Sequence, residues 1–190
     1  MNNREFFNKL AHKWDEISNH DDKKMKAIME LSSIENGSRI LDVGTGTGIL
    51  IGYLLKTLPS NITAVDISQN MILMAKQKYD DKRVEFVIQD IMEYEGTGFD
   101  YIFLYSVYPH FNDKHKLFSH LLTLTNNGGK IVIAHSTSKE KINEIHKKNN
   151  DTRNDSLPPV EITAQIMSNY FIVDKMIDNN EMYYISGIKA

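Results

Sequence analysis

The 190-residue sequence contains no cysteine, which excludes disulfides, thiolate metal sites and thiol nucleophiles together. Neither charge is in marked surplus: 22 lysines and arginines stand against 25 aspartates and glutamates. The basic footprint that phosphate-backbone binding leaves is therefore missing, and nucleic acid is not an expected partner. No window of about 18 apolar residues occurs, and the opening Met1-Asn2-Asn3-Arg4-Glu5-Phe6-Phe7 lacks the apolar core of a secretion signal. The expectation is a soluble, cytoplasmic protein without membrane contact, a monomer or a homodimer. Linkers rich in proline, glycine or serine are also absent, as are repeats, so one domain over 1–190 is expected, with a helical cap at 1–36 and a core at 37–190.

Within that chain, Arg39-Ile40-Leu41-Asp42-Val43-Gly44-Thr45-Gly46-Thr47-Gly48-Ile49-Leu50 stands out. An apolar run enters three glycines spaced by two and leaves into another apolar run, which reads as strand, tight turn and helix. Such a turn lets a ligand approach the backbone closely and faces it with the first amides of a helix. Before it, Phe6, Phe7, Leu10 and Trp14 share one helical face, and Met25, Ile28, Met29 and Leu31 recur on a second helix that Asp21 or Asp22 caps. Trp14, the only tryptophan, reads as a core anchor in preference to a pocket wall.

After the turn, short apolar runs alternate with helical patterns, which predicts an α/β fold with a doubly wound parallel sheet. A helix over 48–58, apolar nearly all round and therefore buried, is expected to stop at Pro59. Strands are expected at 62–65, 84–88, 101–105 and 130–134, with Asn126-Asn127-Gly128-Gly129 closing the helix that carries Leu117, Leu121 and Leu124. Ser138 to Lys148 reads as a charged, solvated helix, and Asn149 to Ser156 as a polar loop suited to a lid. A helix from about Glu161 to Ser168 precedes Phe171–Ile177 and Met182–Ile188, which read as a closing hairpin.

An acid after the second strand, Asp66, suits a ribose diol in either a dinucleotide site or an S-adenosylmethionine site. Three features separate the two. The glycine spacing is Gly-x-Gly-x-Gly, whereas pyrophosphate binders prefer Gly-x-Gly-x-x-Gly. Asp42 beside the turn opposes a pyrophosphate but favours an ammonium and a sulfonium. A third acid, Asp90, ends the third strand, where it can accept from an adenine amino group. Two of the acids have plainer readings as well: Asp42 as a cap of backbone amides, which stays evenly open, and Asp90 as a helix cap.

These residues resemble the class I, seven-stranded S-adenosylmethionine-dependent methyltransferases. Leu41 to Gly48 is similar to the family's first motif, Ala64-Val65-Asp66-Ile67-Ser68 to the second and Gln89-Asp90-Ile91 to the third. Phe99-Asp100-Tyr101-Ile102 and Asn127-Gly128-Gly129-Lys130 are similar to its later motifs, and Phe6 to Asp15 looks like the opening of small-molecule methyltransferases of the quinone-methylating type. The resemblance implies strand order 3-2-1-4-5-7-6 with strand seven antiparallel. It implies S-adenosyl-L-methionine as cofactor, S-adenosyl-L-homocysteine as product, and methyl transfer to a small-molecule nucleophile at O, N, C or S by in-line displacement. The cofactor-binding residues expected are Asp42, Gly44, Thr45, Gly46, Gly48, Asp66, Ile67, Met71, Asp90, Ile91 and Tyr105. A binding or sensing module without turnover is the alternative from another class.

His110 and His135 follow the fourth and fifth strands, beyond whose carboxyl ends open α/β sheets bind their ligands. Both are candidate general bases, since imidazole titrates near neutrality. They are alternatively ligands of a metal-assisted variant, with Asp113 or His146 completing the set, although no close-spaced metal motif exists. His115, His120 and His146 read as solvated. Tyr105, Tyr108 and Phe111 read either as walls of an acceptor pocket or as plain packing.

Overall fold

Four of the seven strands are apolar runs buried on both faces, as a parallel sheet covered by helices requires. The computed structural model describes residues 3–18 and 20–190; Met1, Asn2 and Asn19 of the expected cap lie outside the described residues. The strands are β1 (Arg39–Val43), β2 (Asn61–Asp66), β3 (Val84–Ile88), β4 (Phe99–Tyr105), β5 (Thr125–His135), β6 (Ile172–Asp178) and β7 (Tyr183–Ile188). They form one sheet in the order β3-β2-β1-β4-β5-β7-β6, parallel except for β7, which runs antiparallel to both β5 and β6. This is the order the sequence resemblance implies. The strand order reverses between β1 and β4, which opens a crevice beyond their carboxyl ends.

Helices α1 (Asn3–Leu10), α2 (Trp14–Ile17), α3 (Asp22–Ser32), α4 (Ile51–Leu54), α5 (Gln69–Lys78), α6 (Lys114–Leu124), α7 (Lys139–Lys148) and α8 (Val160–Met167) surround the sheet. Successive strand residues point to opposite faces, so Ile40 joins Met25, Ile28 and Leu54 in one core while Leu41 joins Leu117, Leu121 and Met167 in the other. Side-chain caps set several helix starts: Asp21 accepts from the Lys23 and Lys24 amides, Ser68 from Met71, Asp113 from Lys116 and Ser138 from Lys141.

Two expected elements differ. The helix over 48–58 shrinks to α4 and a single tighter turn at Leu55–Thr57. Gly48 has φ of +87°, outside the helical region, and Leu58 sits at φ 55° with 57% of its surface exposed. Pro59 disfavours right-handed helical backbone at the residue before it, which explains the stop at Leu58. The second difference is at 126–129, which does not close α6 but extends β5 back to Thr125. Gly128 N–H donates to the Lys189 carbonyl and Lys189 N–H donates to the Gly129 carbonyl, so the end of β7 holds this segment extended.

No helix among the described residues is long and apolar enough to cross a membrane.

Candidate functional site

The glycine turn is anchored to the neighbouring strand before any side chain acts. Gly44 N–H and Thr45 N–H both donate to the Val65 carbonyl, at 2.8 and 3.1 Å. Gly44 has φ of +65°, and a Cβ there would lie 2.5 Å from Cγ2 of Val107. Only glycine permits the turn to pass under the end of β4.

Three acids then gather around the turn. Asp66, ending β2, accepts from Gly46 N–H and from Ser68 N–H, each at 2.8 Å. Asp42 accepts from the Thr45 hydroxyl at 2.6 Å. Asp90 accepts from Met92 N–H at 2.9 Å. Asp66 and Asp90 thus hold backbone N–H groups and keep acceptor positions for a ligand, because a carboxylate offers about four, whereas Asp42 is held by the Thr45 side-chain hydroxyl. Burial pushes the Asp42 carboxyl up to about 7, opposed by the Thr45 bond and assisted by the nearby Asp66 charge. Burial likewise pushes Asp66 up to about 6, against its two backbone donors and the attraction of His110.

All three acids line a cavity of about 240 Å³, together with Gly44, Thr45, Gly46, Ile67, Met71, Ile91 and Tyr105. Gly48 does not line it. A Cβ there would instead meet Tyr79 and Ile51 at 3.0 and 3.1 Å, so Gly48 serves the close approach of α5 behind the turn.

His110 and His135 part company. His110 lines the cavity, and its Nδ1 lies 2.6 Å from Oδ2 of Asp155. With Nδ1–H donating to that carboxylate, Nε2 carries the basic lone pair. The side chains of this pair are only 11% and 13% exposed. His135, which closes β5, points into the core against Tyr183, and neither of its ring nitrogens has a hydrogen-bond partner among the described residues. It does not line the cavity. Burial, assisted by His110 and His146, pushes its pKa down to about 3. The structure thus separates it from His110, with which the sequence had grouped it: His135 is a buried residue off the cavity, placed inward by the alternation of β5.

His146 is not solvated either. Its ring lies 5.2 Å from that of His110, its Nδ1 is 2.9 Å from the Asp155 carbonyl, and burial lowers its pKa. His115 is exposed as expected and reaches the Tyr170 hydroxyl, whereas Nε2 of His120 is buried without a partner among the described residues. No group of three or more histidine, aspartate and glutamate side chains among the described residues is arranged to hold a metal ion.

Several lining residues carry no sequence signal. Trp14 is half-buried and walls the cavity, which corrects its reading as a core anchor. It meets the Phe7 ring edge-on at 5.6 Å, and Phe7 in turn meets His110 at 5.2 Å. His20 also lines the cavity and bonds the Tyr105 hydroxyl at 2.7 Å, with Ser136 on that hydroxyl's other side. The opening segment is latched over the turn by Asp15, which accepts from Thr47 and pairs with Lys78, and by Asn8, which accepts from Ser68 and Asn70. Beneath the turn Tyr108–His110, the Lys114 ammonium donates to the carbonyls of Tyr108, Pro109 and Phe111 and fixes how His110 is presented.

The raised Asp42 carboxyl carries a stability consequence. Its folded pKa lies above its unfolded value, so native Asp42 binds a proton more tightly. Stability falls as pH rises from about 4 to about 7 and stays low above it. Asp42→Asn is expected to stabilise the protein by roughly 2–4 kcal/mol at pH 8 and to leave it nearly unchanged at pH 4, since each ten-fold difference in proton affinity between the folded and unfolded chain is worth about 1.4 kcal/mol. Urea unfolding without added ligand at the two pH values checks this.

A family described as "Methyltransferase domain" matches residues 41–133. Among curated proteins, the chain is similar to malonyl-[acyl-carrier protein] O-methyltransferase 1 of Ilyobacter polytropus, 38% identical over 98 residues, covering 50% of this chain and 37% of that protein. It is also similar to phosphoethanolamine N-methyltransferase 2 of Caenorhabditis elegans, 29% identical over 117 residues, covering 59% and 27%. The chain thus spans well under half the length of these two relatives. Among solved structures, phosphoethanolamine N-methyltransferase 2 of Haemonchus contortus with S-adenosyl-L-methionine superposes at a TM-score of 0.76, 21% identity and coverage of 98% and 59%. The N-methyltransferase NodS of Bradyrhizobium japonicum with S-adenosyl-L-homocysteine superposes at 0.77, with 14% identity and coverage of 100% and 99%.

Proposed function

We propose that the chain is a class I S-adenosylmethionine-dependent methyltransferase, a reading supported by the family match over residues 41–133 and by the shared fold, that its cleft binds S-adenosyl-L-methionine and that it transfers the methyl group to a small-molecule nucleophile. The observation that carries this reading is the pair of buried carboxylates flanking the glycine turn, both raised by burial. Such groups are stabilised as anions only when hydroxyls or a cation complete their surroundings. Asp66 would take the ribose hydroxyls, Asp42 the cationic amino-acid end and Asp90 the adenine amino group. Gly44 to Gly46 leave the backbone open to close approach, and Ile67, Met71 and Ile91 supply apolar contact.

When bound, the sulfonium supplies an electrophilic methyl group for in-line displacement. The protein's own part is mainly positioning, which can lower a barrier by about 7–11 kcal/mol. Phe7 and Trp14 roof the cleft and exclude water. His110, oriented by Asp155, receives the acceptor's proton, a contribution of roughly 10²–10⁴ in rate.

Calorimetric titration with S-adenosyl-L-methionine tests the reading. The ionised forms of Asp42 and Asp66 are the ones that bind hydroxyls and a cation. Affinity is therefore expected to weaken at least ten-fold as pH falls from 8 to 5.5, through the values near 7 and 6. No binding at pH 8 sinks the proposal; binding independent of pH removes these two acids from it. Binding without release of S-adenosyl-L-homocysteine across a broad acceptor panel would point to a sensing module instead.

A further inference from the structure

Beyond the turn and the three acids, the cleft continues under the end of β4, and that half is chemically one-sided. Its walls are Phe7, Trp14, Val107 and Phe111, with His20, Ser106, His110 and Asn112 as polar points, all of them neutral donors or acceptors or imidazoles. No lysine or arginine lines the cavity among the described residues; its acidic groups are Asp42, Asp66 and Asp90. Lys114 is the basic side chain bound to the turn that carries His110. Its ammonium is committed to three backbone carbonyls and lies 4.3 Å from the centre of the Tyr108 ring.

A phosphate or carboxylate entering such a site would exchange its hydration for a few neutral donors without gaining a lysine or an arginine fork, and would approach three acids. The His110–Asp155 pair adds a second constraint. An imidazole oriented by a carboxylate is useful to a nucleophile that must lose a proton, and superfluous to an oxygen that arrives already ionised. We infer that the methyl acceptor of this protein is a small molecule without an anionic group, with a flat apolar body and a hydroxyl nucleophile, received between Trp14, Phe111 and His110. It thereby differs from the phosphorylated amine named for two of the similar proteins. In the step, the hydroxyl oxygen bonds the methyl carbon as the carbon–sulfur pair returns to sulfur. The hydroxyl proton passes to His110 and then to solvent, so the sulfonium's charge leaves as that proton.

This inference rests on the proposed cofactor, and the test separates the two. Trp14 is the only tryptophan and lines the cleft, so its fluorescence reports occupancy. With the protein saturated by S-adenosyl-L-homocysteine, which calorimetry verifies first, the emission is titrated with para-cresol, para-hydroxybenzoate and phosphoethanolamine. The first two share one phenol and differ in charge. Para-cresol is expected to bind at least ten-fold more tightly than para-hydroxybenzoate, with phosphoethanolamine giving no change. Equal or tighter binding of either anionic compound overturns the inference. Absence of any response to para-cresol at millimolar concentration, while S-adenosyl-L-homocysteine still binds, overturns it too. Failure of S-adenosyl-L-homocysteine itself to bind is instead the failure of the proposed function.

Discussion

Replacing Asp66 by alanine is expected to weaken S-adenosyl-L-methionine binding by about 10²–10⁴ while leaving the protein folded. Hydrogen bonds to a charged group contribute roughly 1.5–3 kcal/mol each, and a ribose diol would lose two. The same carboxylate holds Gly46 N–H and Ser68 N–H, so the substitution also loosens the turn and frees the start of α5. Asp66→Asn separates these effects, since an amide oxygen still accepts from a backbone N–H but carries no charge. Its affinity should fall between wild type and alanine. Calorimetry at pH 8, with circular dichroism as the folding control, reads both. Wild-type affinity in Asp66→Ala would show that the ribose is not held at the end of β2.

The second large effect belongs to His110. Its substitution by alanine is expected to lower the single-turnover rate by about 10²–10⁴ with any accepted hydroxyl compound, and to leave cofactor affinity within about three-fold. Asp155 lies 45 residues further on and touches His110 by one side-chain pair. Asp155→Asn keeps an acceptor for Nδ1–H but removes the charge that stabilises the imidazolium, so a smaller loss, on the order of ten-fold, is expected. Quenched-flow measurement of methylated product distinguishes the outcomes. A rate within three-fold of wild type in His110→Ala would leave catalysis to positioning alone, and the His110–Asp155 pair would then serve only to hold the loop at 149–160.

What made the cofactor half of the site legible is that its signals are local. Strand, glycine turn and helix occupy sixteen consecutive residues, 39–54, and Asp66 closes β2 while Asp90 follows the end of β3 by two residues, each after an apolar run visible in the sequence. A residue at the carboxyl end of such a strand faces the crevice wherever the strand lies in the sheet, so the chain order alone places Asp42, Asp66 and Asp90 on one side. Gly48 shows the limit of that reasoning: it shares the spacing of Gly44 and Gly46 but answers to Tyr79 and Ile51 behind the turn.

The acceptor half was not legible, because its members meet only after the chain has crossed the sheet. His20 reaches Tyr105 over 85 residues, and His110 reaches Asp155 over 45. No periodicity links such positions. His110 and His135 look equivalent in sequence, each a histidine after an apolar strand. The difference is geometric: β4 ends at Tyr105, Ser106 then takes φ of 56°, and the redirected chain carries His110 to the cleft, whereas His135 is still paired with Tyr183 and turned inward. Trp14 is an aromatic on an amphipathic face, and only the docking of Asn8 and Asp15 onto α5 and the glycine turn decides that this face roofs a cavity. By itself, then, the sequence determined the sheet and the cofactor's cradle, since both follow from short-range backbone demands. The tertiary structure decided which histidine lines the cleft and that no lysine or arginine among the described residues does, since both depend on contacts between segments far apart in the chain.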